Sequence, residues 1–406
     1  MAVENPDLIS GYAALFNPAT LDGHAVSSPL GLWLLLALIG PATEGDARRD
    51  LEEVLGTTVR DAAARAAAML SEPHPAVSAL AAVWGRNLGP AFDTWAHTLP
   101  AVVERGPVPT QSFADDWART NTNGVIDEFP LRIDELTRLI LASALTTDIA
   151  WSTPLGTTDE LGGEFGSAIH HALTIDNGIQ LIAETDAAGL VAVTAPRTAS
   201  ALEVFSIIAA PEATPSEVDG AAHQVAALLR GDARYARRVP VEELVDGHAW
   251  TVTERRERRS GGPDVQADWR SYLPAWSASR DHDLKNAPGV RPAIEALAGF
   301  LRPEDLPAQF TAAQSAVASF SKAGFKAAAV TAIGLVAGSM PSFHEVLVKR
   351  ITLRFNRPYA VLACAARDLG PEAWRGVPVF SAWVAEPENT EAEELGQPQP
   401  VPVRTH

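Results

Sequence analysis

The chain has 406 residues, 47% of them hydrophobic and 20% charged, the composition of a folded protein rather than a disordered one. A formal net charge of −18 argues against nucleic acid or an anionic membrane as partner, because both need a basic face. The single cysteine, Cys364, excludes an internal disulfide framework and a cysteine-based metal site, and its apolar setting (YAVLACAA) predicts a buried structural thiol.

The N-terminal MAVENPDLIS has no basic stretch followed by an early apolar run, so no secretory signal is expected and the cytoplasm is the first reading. Residues 5–16 read as a short amphipathic helix. Ser28 then caps a helix with Pro29 at its first position, where the missing N–H is harmless, and Gly40-Pro41 ends it. The apolar run from Gly31 to Gly40 is too short to span a bilayer and reads as a core helix. A new helix starts near Thr43, with Asp46 as a capping signal and Leu51, Val54 and Leu55 on its inner face.

Trp117 precedes a helix end at Thr120–Ile126 (TNTNGVI). Leu139 to Leu155 (LILASALTTDIAWSTPL) alternates as a strand and enters a tryptophan-containing turn. Ala201–Ala210 reads as a buried strand and Val218–Leu229 as a helix, whereas Glu254–Arg259 (ERRERR) reads as a solvated strand end or loop. Another helix is expected from Ile294 to Leu306. Gln314 to Pro341 opens with strand-like alternation, becomes a run of Ala, Val, Thr and Gly, and ends in a Gly-Ser-Met-Pro turn signal. Composition also admits an alanine-rich helix over Ala327–Ala332, but so little side-chain volume suits a segment that passes between exposed loop and buried strand. Ile351–Val361 reads as a strand. Pro378–Pro387 is a last strand with proline at both ends, followed by an acidic, proline-rich tail expected to be disordered.

Taken in order, these segments resemble the serpin family. HAVSSPLGLWLLLALIGPATEGDARRDLEEVLG is similar to the family's opening helices, and Trp117 with TNTNGVI to its W…TNGxI helix end. The strand at 139–155 resembles its central-sheet strand and turn, with Trp151 and Pro154 at the tryptophan and proline. Leu273–Trp276 loosely resembles its LPKF strand. ITLRFNRPYAV resembles its FNRPF strand, with Phe355, Pro358 and Tyr359 in place, and PVFSAWVAEP its final strand. The likeness covers the N-terminal quarter, residues 117–155 and everything after about 273, as in a divergent, bacterial-type member. It implies an α+β fold with a large central mixed sheet, smaller sheets, about eight or nine surrounding helices and an exposed reactive-centre loop. A single domain is expected over 1–386, with the tail at 387–406.

For function the resemblance implies a suicide-substrate inhibitor of serine or cysteine endopeptidases, not an enzyme. A protease cleaves the exposed loop, and before the acyl-enzyme hydrolyses the loop inserts as a new strand into an incomplete, metastable sheet. The protease does the chemistry, so no catalytic residue, cofactor or metal is expected of this chain. Alignment on Gly324 gives a hinge of Lys322, Gly324, Phe325, Lys326, Ala327, Ala328, Ala329, Val330, Thr331 and Ala332. The usual spacing then puts the scissile bond at Gly338-Ser339. Glycine fills no specificity pocket, which favours an elastase-like or subtilisin-like target. Gly324 and Phe355 stand 31 residues apart, more than the family usually has, so Met340, Phe343 and Leu347 are alternative sites.

Four departures bear on this reading. Phe325 stands where the family has Thr or Ser, and its ring either risks overpacking costing roughly 1–3 kcal/mol on insertion or finds a pocket. Lys322 and Lys326 replace usual glutamates. A polar cluster that governs sheet opening, built near Ser28, has Gly31, Ser143 and Gln314 where the family has Ser, Asn and His, so its hydrogen bonds must be rebuilt or absent. Phe325 and that cluster support an alternative: a serpin-fold binding, carrier or structural protein without inhibition. A monomer is expected, and extracellular action, common in the family, is the alternative to the cytoplasm.

An enzyme is the third class. The sequence holds no GxSxG elbow, HExxH, P-loop or Rossmann fingerprint. His170-His171 invites a metal reading, but adjacent strand residues cannot face one site. Asp148 and Glu184 to Asp186 read as surface groups.

Overall fold

The computed structural model describes residues 3–198, 200–260, 263–302, 312–325 and 343–390, without the side chains of Ser260, Phe343 and His344. Helices form where apolar residues recur at helical spacing. α1 (Asn5–Thr20) buries Leu8, Ile9, Tyr12 and Phe16. α2 (Pro29–Ile39) is apolar all round and buries every residue but Leu35, which makes it a core helix. α3 (Gly45–Leu55) buries Leu51 and Leu55 and stops at Gly56, where φ is 70°. Thr43 does not cap α3: its hydroxyl donates back to the Gly40 carbonyl (2.7 Å), and the capping position is Glu44, without a side-chain bond. α4 (Val59–Ser71) is capped by Thr58. The remaining helices are α5 (Pro90–Ala96), α6 (Gln111–Asn121), α7 (Gly163–Ala168), α8 (Pro215–Leu229) and α9 (Val290–Ala298).

Strands gather into four ladders. The largest is antiparallel and runs β1 (Ala25–Ser27), β19 (Pro378–Val384), β18 (Tyr359–Ala365), β10 (Leu202–Ile208), β9 (Gly189–Pro196), β8 (Gly178–Thr185), β11 (Ala236–Arg238). Every residue of β18 and β19 is buried, and Cys364 lies among them with its thiol pushed up to about 12 by burial. A second, mixed ladder runs β12 (Trp250–Ser260), β17 (Phe343–Arg354), β13 (Val265–Leu273), β7 (Ala172–Ile175), β6 (Gly156–Thr158), with β13 and β17 parallel. The charged run at 254–259 is the largely exposed second half of an edge strand that pairs to β17 along its 11 residues.

The other two ladders frame the candidate site. One is β14 (Trp276–Asp283), β15 (Ala313–Phe320), β16 (Gly324–Phe325), β5 (Ile149–Ala150). The other is β3 (Glu104–Pro107), β2 (Val77–Gly85), β4 (Leu139–Thr147). β4 passes through Asp148 into β5, so the two ladders meet at one end. Below that junction no ladder joins β4 to β15 among the described residues.

Ordered packing continues past 386. The Glu388 N–H donates to the Ala275 carbonyl (2.7 Å) and the Thr390 N–H to that of His171 (3.1 Å). The His170 and His171 N–H groups both donate to Asn389 Oδ1. The expected tail thus begins no earlier than residue 391; 391–406 lie outside the described residues.

Candidate functional site

Four residues singled out from the sequence converge at the lower end of the β4–β15 gap. Ser28 caps α2, accepting from the Gly31 N–H (3.3 Å), and its hydroxyl donates to the Val379 carbonyl on β19 (2.8 Å). Gln314 on β15 clasps the Ser28 backbone from both sides: Oε1 accepts from its N–H (3.0 Å) and Nε2 donates to its carbonyl (2.9 Å). Ser143 on β4 donates to the Gly31 carbonyl (3.1 Å). The network is rebuilt rather than absent. It ties both walls of the gap to one helix start. Glycine at 31 follows from packing, since a Cβ there would meet Leu145 Cδ1 at 3.2 Å and both Gln314 Nε2 and Ser143 Oγ at 3.3 Å.

An imidazole is present too, but one strand over. His282 on β14 pairs across the ladder with Gln314, is buried, and its Nε2 lies 2.7 Å from the Val26 carbonyl of β1. Burial holds its pKa below the usual histidine range. Its role was not read from the sequence. Finding it requires the β14–β15 register, which places it opposite Gln314.

The gap above this cluster is a cleft lined by β4 and β15. Its upper part, about 380 Å³, is walled by Leu145 and Thr147 of β4 and by Ala316 and Ala318 of β15, with Phe380 and Ile126 also on its lining. Its lower part, about 720 Å³ and open to solvent, extends past Ser143 and Gln314 to Trp117 and Phe129. Small β15 side chains and the apolar Ile126 and Phe129 leave room beside the strands.

At the top the chain leaves β15, turns over Ser321–Ala323 and comes back as β16 between β15 and β5, with Gly324 opposite Ala150 and Phe325 opposite both Phe320 and Ile149. Phe325 is 3% exposed. Its ring lies 6.3 Å from that of Trp276, edge-on. The overpacking risked at this position is thus not what the structure has, because aromatic neighbours accommodate the ring. Trp151 is buried against Phe320 (ring centroids 4.9 Å) and its Nε1 donates to the Ser321 carbonyl (2.9 Å). Phe355 is fully buried against Tyr359 (5.2 Å), while Pro358 is half-buried beside them.

Of the hinge, Lys322, Gly324 and Phe325 are placed as above, and Lys326 and Ala327 to Ala332 lie outside the described residues. So do Gly338, Ser339 and Met340. Phe343 begins β17, and Leu347 lies within it, paired to Arg256 on one side and Val265 on the other. A bond at Leu347 is therefore held in a ladder, not offered in a loop.

No model of a known protein family matches the chain. Among curated proteins, mouse plasminogen activator inhibitor 1 is 28% identical over 159 residues, 34% of this chain and 38% of that protein. A rice protein that carries a serpin-Z5 name is 30% identical over 154 residues, 34% of its length. Among solved structures, the thermophilic serpin tengpin in its native state is similar at a TM-score of 0.62, with 14% identity and 95% of each chain covered. The chain has the serpin fold. Its sequence match spans about a third of the curated relatives' length, whereas the fold match spans nearly the whole chain. Thyroxine-binding globulin in complex with thyroxine is a further structural neighbour, with a TM-score of 0.61, 14% identity, and coverage of 95% of this chain and 99% of that one.

Proposed function

We propose that this protein is a suicide-substrate inhibitor of serine or cysteine endopeptidases, acting by cleavage of the loop after Phe325 and its insertion between β4 and β15. The observation that carries the reading is the unjoined pair of walls: β4 and β15 share no ladder, a cleft separates them, and β16 already enters at the top. A strand added there gains hydrogen bonds on both sides, which provides the driving force. Elastase-like or subtilisin-like enzymes are the proposed targets, with the scissile bond at Gly338-Ser339. Monomeric action, in the cytoplasm or outside the cell, belongs to the same proposal.

A second reading is a binding or carrier protein on the same fold. It draws on the neighbouring globulin, whose structure holds thyroxine, and on the two lysines at the hinge. Incubation with a protease panel and denaturing gels separates the readings. The proposal expects an SDS-resistant protease-linked band, with mass analysis fixing the cut. Clean cleavage without that band and without a gain in melting temperature would leave the carrier reading.

A further inference from the structure

We infer that Phe325 anchors the first two loop residues in the main sheet before any cleavage, so that insertion lengthens an existing strand instead of nucleating one. The inference rests on the inhibitor reading for its consequence, but not for its first test.

A two-residue strand is a weak element alone, and β16 is held from three directions. Within the hairpin, the Ser321 N–H and hydroxyl both donate to the Gly324 carbonyl (2.9 and 3.1 Å). From the β5 side, the Trp151 N–H donates to the Ala323 carbonyl (3.1 Å) and the Leu155 N–H to that of Lys322 (2.9 Å). From within the core, the buried Phe325 ring meets Trp276, which stacks on Phe320 at 6.4 Å and 18°, while Trp151 closes on Phe320. The backbone contacts are open to any residue at 325, but in a strand this short they do not hold it alone. The aromatic cradle is fitted to a ring, and the Thr or Ser expected at this place would leave it underfilled.

The anchor sits at the mouth of the cleft between β4 and β15, whose upper lining includes Phe325 itself. Starting a strand costs backbone and loop-closure entropy before any ladder bond repays it. Here that cost is met in the uncleaved protein. Insertion competes with hydrolysis of the acyl-enzyme, so a prepaid start shifts the partition toward trapping. Phe325 is thus a positioning residue: it touches no reacting atom and sets how fast the loop follows.

Hydrogen exchange of the full-length, uncleaved protein tests the anchor. Wild-type amides at Gly324 and Phe325 should exchange at least about tenfold slower than an open chain. Phe325→Thr should abolish that protection, and Phe325→Leu, which keeps apolar bulk, should retain much of it. Circular dichroism and protection elsewhere establish that each variant is folded. Open-chain exchange in the wild type, or unchanged protection in Phe325→Thr, overturns the inference. With an elastase-like protease that wild type traps, Phe325→Thr should raise the amount of inhibitor consumed per protease trapped by several-fold, with Phe325→Leu nearer wild type. An unchanged ratio overturns the role in insertion. If wild type traps no protease, the inhibitor reading fails, and the exchange comparison still decides whether Phe325 is an anchor.

Discussion

At the scale of single residues, the cluster below the cleft rests on Gln314. Both of its amide atoms are spent on the Ser28 backbone, and Ser28 is buried. Gln314→Ala leaves a buried N–H without its acceptor, so a loss of about 1–3 kcal/mol in unfolding free energy is expected from urea titration. No change would mean that the clasp is dispensable. His282 adds a pH dependence. Burial lowers its pKa, as it does for His223, buried between Asp219 on its own helix and Ser10 of α1 with Arg230 nearby. Both imidazoles are neutral in the native state, whereas the unfolded chain takes up their protons near pH 6.5. The unfolded state then binds more protons, so stability is full above about pH 6.5 and falls as pH drops toward the native values. Urea midpoints about one unit either side of 6.5 should show this, and His282→Gln should flatten the acid limb. An acid limb as steep in the variant would remove His282 from the account. His282 faces Gln314, Arg280 and Asp281 within its sheet and the Val26 carbonyl across from it; burial outweighs the support of that carbonyl and of the Asp281 charge, and the Arg280 charge adds to the proton's cost.

At the scale of elements, what was legible in the sequence was what a local pattern encodes. Alternation at 313–320 gave a strand, Ser28-Pro29 gave a helix start, and the apolar run after it gave a core helix; all three stand. The Ser28, Gly31, Ser143 and Gln314 grouping came from resemblance, and the fold does bring the four together. What the local pattern did not show was which partner each side chain or strand takes in the fold. Thr43 looked like a cap, but its hydroxyl found Gly40 first. Phe325 looked like an obstacle because Trp276 and Phe320 could not be placed around it. ERRERR read as a solvated strand end or loop and is the largely exposed second half of β12; what nothing local reveals is that it pairs with β17. That pairing makes β17 an interior strand, and Lys349 fastens it. Lys349 is 5% exposed, and its Nζ donates to the Glu242 and Leu244 carbonyls (2.9 Å each). Lys349→Met should cost about 1–3 kcal/mol, because two carbonyls lose a charged donor. Sheltered bonds of this kind are screened little, so the loss should be similar at low and high salt. A loss that disappears in high salt would instead assign it to the exposed Glu254 partner at 3.3 Å.

At the scale of the whole molecule, the described strands after residue 342 are woven into sheets that the rest of the chain builds. β17 lies between β12 and β13, β18 between β10 and β19, and β19 between β1 and β18. Cutting the chain between 326 and 342 therefore severs the polypeptide without freeing its C-terminal piece. Proteolysed protein should elute as one species under native conditions and give two fragments on a denaturing gel. Early release of the C-terminal fragment would contradict the ladder assignments. The same weave sets the energetic consequence of the cut. On the proposed mechanism the tether through Phe343 is lost while both walls of the cleft stay in place, and the freed segment enters as a new strand along the 9 residues of β4 and the 8 of β15. At a net 0.5–1.5 kcal/mol per ladder bond, such a strand adds on the order of 10 kcal/mol. For a chain of this length that corresponds to a rise in melting temperature on the order of 10 °C. Calorimetry before and after loop cleavage reads it directly. A nicked protein that stays associated yet melts where the intact protein melts would have kept its cleft unfilled, and the insertion mechanism would have to be given up while the fold stood.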